Sequence, residues 1–163
     1  MTQVKSITNL TLHDVTGMKS TECTTLERKL NPDPLYYQSL EIYSGHATTL
    51  DLCLYAENKS TLAIPEICVY PPKPAETLRQ RKTLPSYASY SSMNVHGVTK
   101  VQVSKIRSVE VELKTPDGGN ANVHYCSLGI LSEDLALVEI VMFAKEKETL
   151  ECLQVPEMTN KLF

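Results

Sequence analysis

The chain has 163 residues, 42% hydrophobic and 21% charged, with a formal net charge of -3 and a pI of about 5.8. That length buries one core, so a single domain over residues 1–163 is expected, with no global attraction to nucleic acid or anionic membrane. No apolar run approaches the ~20 residues that a membrane-spanning helix needs. Met1 to Asn9 carries no apolar core of a secretory leader. Five irregularly spaced cysteines, Cys23, Cys53, Cys68, Cys126 and Cys152, argue against a disulfide framework. Cys53, Cys68 and Cys126 sit in apolar or alternating stretches and read as buried free thiols. The expected compartment is the cytoplasm.

In chain order, Val4 to Leu12 reads as a first strand, with Leu10 and Leu12 on one face. Thr24 and Glu27 have the spacing of a capping box, and Leu26 and Leu30 follow at helical spacing before Pro32 and Pro34. One short helix is predicted near 21–30. Tyr36 to Tyr43 and Leu50 to Tyr55 alternate with period two and read as strands, joined by a turn at Gly45-His46. Asn58-Lys59-Ser60 makes a second turn, and Leu62 to Tyr70 resumes strand character with an edge or bulge at Pro65.

Residues 71–92 differ in kind. They hold four of the nine prolines, many serines, and no aliphatic side chain larger than alanine besides Leu78 and Leu84. A connection this long is uncommon in a compact domain and is often functional. Lys73, Arg79, Arg81 and Lys82 against Glu76 make it locally basic, and Tyr87 and Tyr90 follow.

A β-meander fills the rest. Val101, Val103, Val109, Val111 and Leu113 share one parity, but Lys105 and Arg107 interrupt it, which places a bend at 105–108. Glu110, Glu112 and Lys114 alternate with the last valines and leucine as the solvated side of a half-buried strand. Thr115-Pro116-Asp117-Gly118-Gly119 is a turn before the alternation of Ala121, Val123 and Tyr125. Leu135 to Phe143 is nearly all apolar and suits a central strand buried on both faces. Lys145 to Glu148 is a charged exit, and Leu150 to Val155 reads as a last short strand. The expected fold is all-β: an antiparallel two-layer sandwich or partly open barrel with one short helix.

Asn94-Val-His-Gly97-Val-Thr-Lys-Val-Gln-Val103 resembles the opening of small β-proteins encoded by tailed bacteriophages, over about fifty residues at most. The resemblance implies a phage or viral origin and carries no activity.

Catalytic and metal chemistry find little support. His124 and Cys126 share a strand face, but no second His/Cys pair stands at ligand spacing. His46 and Thr48 form a lone His-x-Thr pair, and acid-base work by His needs positioned partners. There is no Gly-x-Ser-x-Gly elbow and no glycine-rich phosphate loop. No cofactor, no metal and no enzyme activity are expected.

The basic arm invites two readings. Its prolines and tyrosines suit docking on a protein partner, giving a non-enzymatic interaction or assembly subunit that uses the arm and one sheet edge, as a homo-oligomer or within a larger assembly. Lys73, Arg79, Arg81, Lys82, Tyr87 and Tyr90 are the partner-binding candidates. The alternative is a single-stranded nucleic-acid-binding protein with an OB-like barrel, where the same cations meet phosphates and the tyrosines stack on bases, with Lys100, Lys105 and Arg107 extending the surface. Thr159 to Phe163 weakly resembles tails that plug a Leu-Phe pair into sliding clamps, without the usual glutamine at the right offset; packing on its own domain is the expected role.

Overall fold

The computed structural model describes residues 5–45, 47–62, 64–69, 91–114 and 116–154. In chain order the strands are β1 (Ser6–Leu12), β2 (Val15–Ser20), β3 (Thr24–Leu26), β4 (Leu35–Ser44), β5 (Ala47–Ala56), β6 (Cys68–Val69), β7 (Ser91–Val95), β8 (Val98–Val103), β9 (Arg107–Glu112), β10 (Asn120–Ser132) and β11 (Ala136–Ala144), followed by helix α1 (Lys147–Glu151). A 3-10 turn at Lys59–Thr61 is capped by the Asn58 side chain, which accepts from the Ser60 amide.

The alternating stretches pair as two sheets that share one core, an all-β sandwich. The first sheet runs β1-β11-β10-β8, with β9 also on β10, and the second runs β6-β2-β4-β5-β7, with β3 also on β4. Both sheets are mixed rather than purely antiparallel, because β1 lies parallel to β11 and β7 parallel to β5. Leu10, Ile140, Leu128 and Val103 form one row across the first sheet. Met18, Ile42 and Leu50 form one across the second. Their inner faces interdigitate, and each fully buried Leu or Ile contributes about 1.5–3 kcal/mol.

Two corners carry the chain between sheets. At His13-Asp14, β1 of the first sheet becomes β2 of the second, with Asp14 at φ 54°. The Asp14 carbonyl accepts from Gly45 N at 3.1 Å, and the His13 carbonyl accepts from Ser44 Oγ at 2.7 Å. At His96-Gly97, β7 of the second sheet becomes β8 of the first, with Gly97 at φ 63° and its carbonyl accepting from Glu133 N. A stacked ring braces each corner: His13 lies 5.1 Å from Phe143, and His96 lies 4.5 Å from Tyr55.

Four local expectations change. Residues 21–30 are not helical: Thr24–Leu26 is a strand on β4, and the Thr24 hydroxyl bonds back to Glu22 O instead of capping. Leu26 is 36% exposed and Leu30 fully exposed, so a helix there has no apolar face to bury. Strand character in 62–70 survives only at Cys68–Val69. Upstream of it, Gln38 Nε2 donates to Ile64 O, and Ser20 Oγ donates to Pro65 O and accepts from Ile67 N, so side chains replace the ladder. Residues 147–151 are helical where a strand was expected from 150 onward, and Leu150 and Leu153 plug the end of the core. β11 is buried on one face only: Val138, Ile140, Met142 and Ala144 face inward, and the residues between them stay half-exposed.

The thiols sort by depth. Cys126 is buried, Cys23, Cys53 and Cys152 are intermediate, and Cys68 is exposed, contrary to the expectation for Cys53 and Cys68. Burial pushes the Cys126 thiol up to about 12 and Cys152 to about 11 from 9.0. A folded value above the unfolded one stabilises fully below the unfolded value, and that contribution fades as pH rises toward the folded one. At pH 8, Cys68 should therefore react with an alkylating reagent at once, while Cys126 and Cys152 react only on unfolding; mass spectrometry of timed labelling reads the order. Stability should fall above about pH 9, less so in a variant lacking both buried thiols.

A side chain at the second corner meets the positive φ. Gly97→Ala should cost roughly 1–2 kcal/mol in urea unfolding, since the new Cβ would also meet the Glu133 side chain at 3.3 Å.

Candidate interaction surface

β8 and β9 lie end to end along β10 as the outer arm of one long hairpin. Val103 stands opposite Leu128 and Arg107 opposite Tyr125. Ser104 to Ile106 therefore span the distance that Cys126 and Ser127 span on β10. This one-residue excess is a β-bulge, and the bend expected at 105–108 is this feature.

The bulge has its own hydrogen bonds. Ser104 N donates to Ser127 O at 2.9 Å, but Ser127 N donates to Ser104 Oγ, not to its carbonyl, at 2.8 Å. The Ser104 carbonyl accepts from Gln154 Nε2 at 2.9 Å, just beyond α1. An extra residue exchanges the faces of everything after it. Val101 and Val103 face the core, whereas Val109, Val111 and Leu113 turn to the outside of the sheet at 43%, 42% and 43% exposure.

The distal half of the hairpin overhangs the sandwich. The core residues of β10 begin at Cys126, and all of β9 is exposed, including Ser108, Glu110 and Glu112 on the side that would face the second sheet. On that side Ser108 Oγ and His124 Nδ1 lie 2.7 Å apart. On the outer side, Tyr125, Phe143 and His13 stack across β10, β11 and the end of β1, with centroids 5.4 and 5.1 Å apart. Beside this stack lies a hollow of about 490 Å³. Val109, Val111 and Val123 line it together with Phe143 and His13, and Asp14 and Lys145 also line it, their charged atoms 3.7 Å apart.

The edge of β9 away from β10, which no strand among the described residues pairs, has a definite phase. Leu113 N donates to Gly119 O at 2.8 Å, in register with the β9–β10 pairing. Hydrogen-bonded and non-bonded pairs alternate in an antiparallel ladder. Odd-numbered residues of β9 thus bond to β10, and the amides and carbonyls of Ser108, Glu110 and Glu112 point outward from the sheet.

The sequence-predicted candidates Lys73, Arg79, Arg81, Lys82, Tyr87 and Tyr90 lie outside the described residues, as do His46, the tail at 159–163 and most of the 71–92 arm. Lys100, Lys105 and Arg107 follow one another along the β8–β9 edge, and all three are exposed. His124 and Cys126 do share a face, but Cys126 is sealed in the core and His124 is engaged with Ser108. Among the described residues no group of three potential ligands could hold a metal ion. On the second sheet, Tyr37, Tyr55 and His96 form another ladder, 5.2 and 4.5 Å between rings, with His96 stacked on Tyr55 and Tyr37 tilted against it. Tyr37 OH also meets Cys53 Sγ at 3.6 Å, which raises the phenol above its usual range. Sequence reasoning missed the stack of His13, Phe143 and Tyr125, whose members are far apart in the chain. Comparisons with protein-family models, curated proteins and solved structures found no match for this chain.

Ser104→Ala removes the acceptor of a half-buried amide and should cost about 1–3 kcal/mol. Hydrogen exchange should then accelerate at Ser127 and along β9, while the β4–β5 amides keep their protection.

Proposed function

We propose that the protein is a non-enzymatic interaction subunit of a larger assembly, of the phage or viral kind that Asn94 to Val103 resembles. One observation carries this reading: the overhanging hairpin turns Val109, Val111 and Leu113 outward next to an apolar hollow. A contiguous exposed apolar patch with a polar rim marks an interaction site more often than a structural one. The hairpin is held rigidly at its base by the bulge and by α1, so the surface is presented in a fixed geometry. β6 and β7 lie at opposite ends of the second sheet's strand order, Ser91 and Ser92 of the expected 71–92 arm belong to β7, and in this reading the rest of the arm adds a second contact. Among the described residues no helix is long and apolar enough to cross a membrane.

Without its partner, an uncovered apolar edge drives weak association. Light scattering should show the purified protein as a monomer when dilute and in reversible association when concentrated. Val109→Thr/Val111→Thr keeps β-branched residues in the strand. It should reduce that association and shift the urea midpoint by less than about 0.5 kcal/mol. Association that ignores both substitutions would count against this face.

A further inference from the structure

We propose that β9 is an acceptor edge for an extended partner segment in which apolar residues alternate with lysine or arginine, added to the first sheet as a further strand. This rests on the interaction reading above and names the partner's chemistry. Three features of the edge converge on it.

The first is hydrogen bonding that no strand among the described residues completes. The backbone groups of Ser108, Glu110 and Glu112 point away from β10, a pattern that an added strand completes. The second is the absence of a backbone block. Proline or a bulge within an edge strand interrupts its pairing. Arg107 to Glu112 contains no proline and its bulge comes before the strand starts, so what guards this edge is charge, chiefly Glu110 and Glu112, which a basic partner neutralises.

The third is the division of its two faces. Val109 and Val111 line one, and Glu110 and Glu112 line the other. Neither glutamate has an ion-pair partner among the described residues. Successive residues of an added strand fall on alternate faces. An apolar-basic alternation therefore extends the valine face and neutralises the glutamate face at once. A second copy of β9 fits less well. Two-fold pairing of the same strand keeps the faces in common and brings the Glu110 and Glu112 carboxylates of both copies onto one side, where like charges repel.

The test uses the whole chain and short fluorescent peptides: alternating valine-lysine, alternating valine-glutamate, and a valine-lysine peptide of the same composition arranged in two blocks. Anisotropy titrations at low and high salt read the affinities. The alternating valine-lysine peptide should bind at least about tenfold more tightly than the other two, and less tightly as salt rises. Glu110→Lys/Glu112→Lys alters exposed groups only, and its urea midpoint verifies folding. It should invert the preference in favour of valine-glutamate. Peptide binding should slow hydrogen exchange at Ser108, Glu110 and Glu112. Equal binding of the alternating and block peptides, or a preference untouched by the charge reversal, would overturn the proposal. A stable dimer in dilute solution that already protects those amides would assign the edge to a second copy, ending this inference and leaving the interaction reading intact. A monomer at every concentration that takes up no peptide would remove both.

Discussion

The hydroxyl of Ser104 stands where a regular ladder would place a backbone carbonyl, accepting the amide of Ser127 at 2.8 Å. That substitution lets the backbone turn through one extra residue without orphaning a half-buried donor. The displaced carbonyl is taken by Gln154, so the segment after α1 is tied to the same point. Much of the molecule's outward character depends on this junction. Upstream of it the edge strand feeds valines to the core; downstream it turns valines to solvent and carboxylates to the opposite side. A regular strand would put Lys105, Arg107 and the valines on a single face, and two cations would then head toward the core, where burying an unpaired charge is costly.

The cost of the arrangement is carried by the body of the sandwich. Exposed valines forgo part of the ~1.5–3 kcal/mol that full burial of each provides. The pairs Leu128–Ile140 in the first sheet and Leu40–Leu52 in the second are fully buried and supply the stability that an overhanging hairpin lacks. Leu150 of helix α1 and Leu153 just after it close the end of the core, and Gln154 next in the chain holds the base of the hairpin. Core and overhang thus separate along a single strand: β10 is core from Cys126 onward and extends beyond the sandwich before it.

The corners show the same economy of parts. Each places a histidine beside a residue in the left-handed region, and each histidine completes a three-ring ladder across neighbouring strands. Stacked rings contribute on the order of 0.5–1.5 kcal/mol per pair beyond their buried area, enough to offset the strain of a non-glycine residue such as Asp14. His13 and His96 thus act as packing groups at the two strand crossings.

The sequence by itself determined where most strands lie, because period-two alternation in stretches such as Leu50 to Tyr55 and turn chemistry at Gly118-Gly119 are local properties of the chain. It also located the bend near Lys105, through the two cations that break the valine parity. It misled at Thr24 to Leu30, where a capping pattern had no apolar stripe to support it, and at Leu150, where an apolar pair plugs the core from a helix. Only the tertiary structure decided which face Val109 and Val111 occupy, since one inserted residue reverses every later side chain and leaves the alternation itself unchanged. Only it could bring His13, Phe143 and Tyr125 together, because β1 reaches β11 by a parallel pairing of residues more than a hundred positions apart. Alternation is written residue by residue; register and strand order depend on long-range pairing that no local pattern encodes.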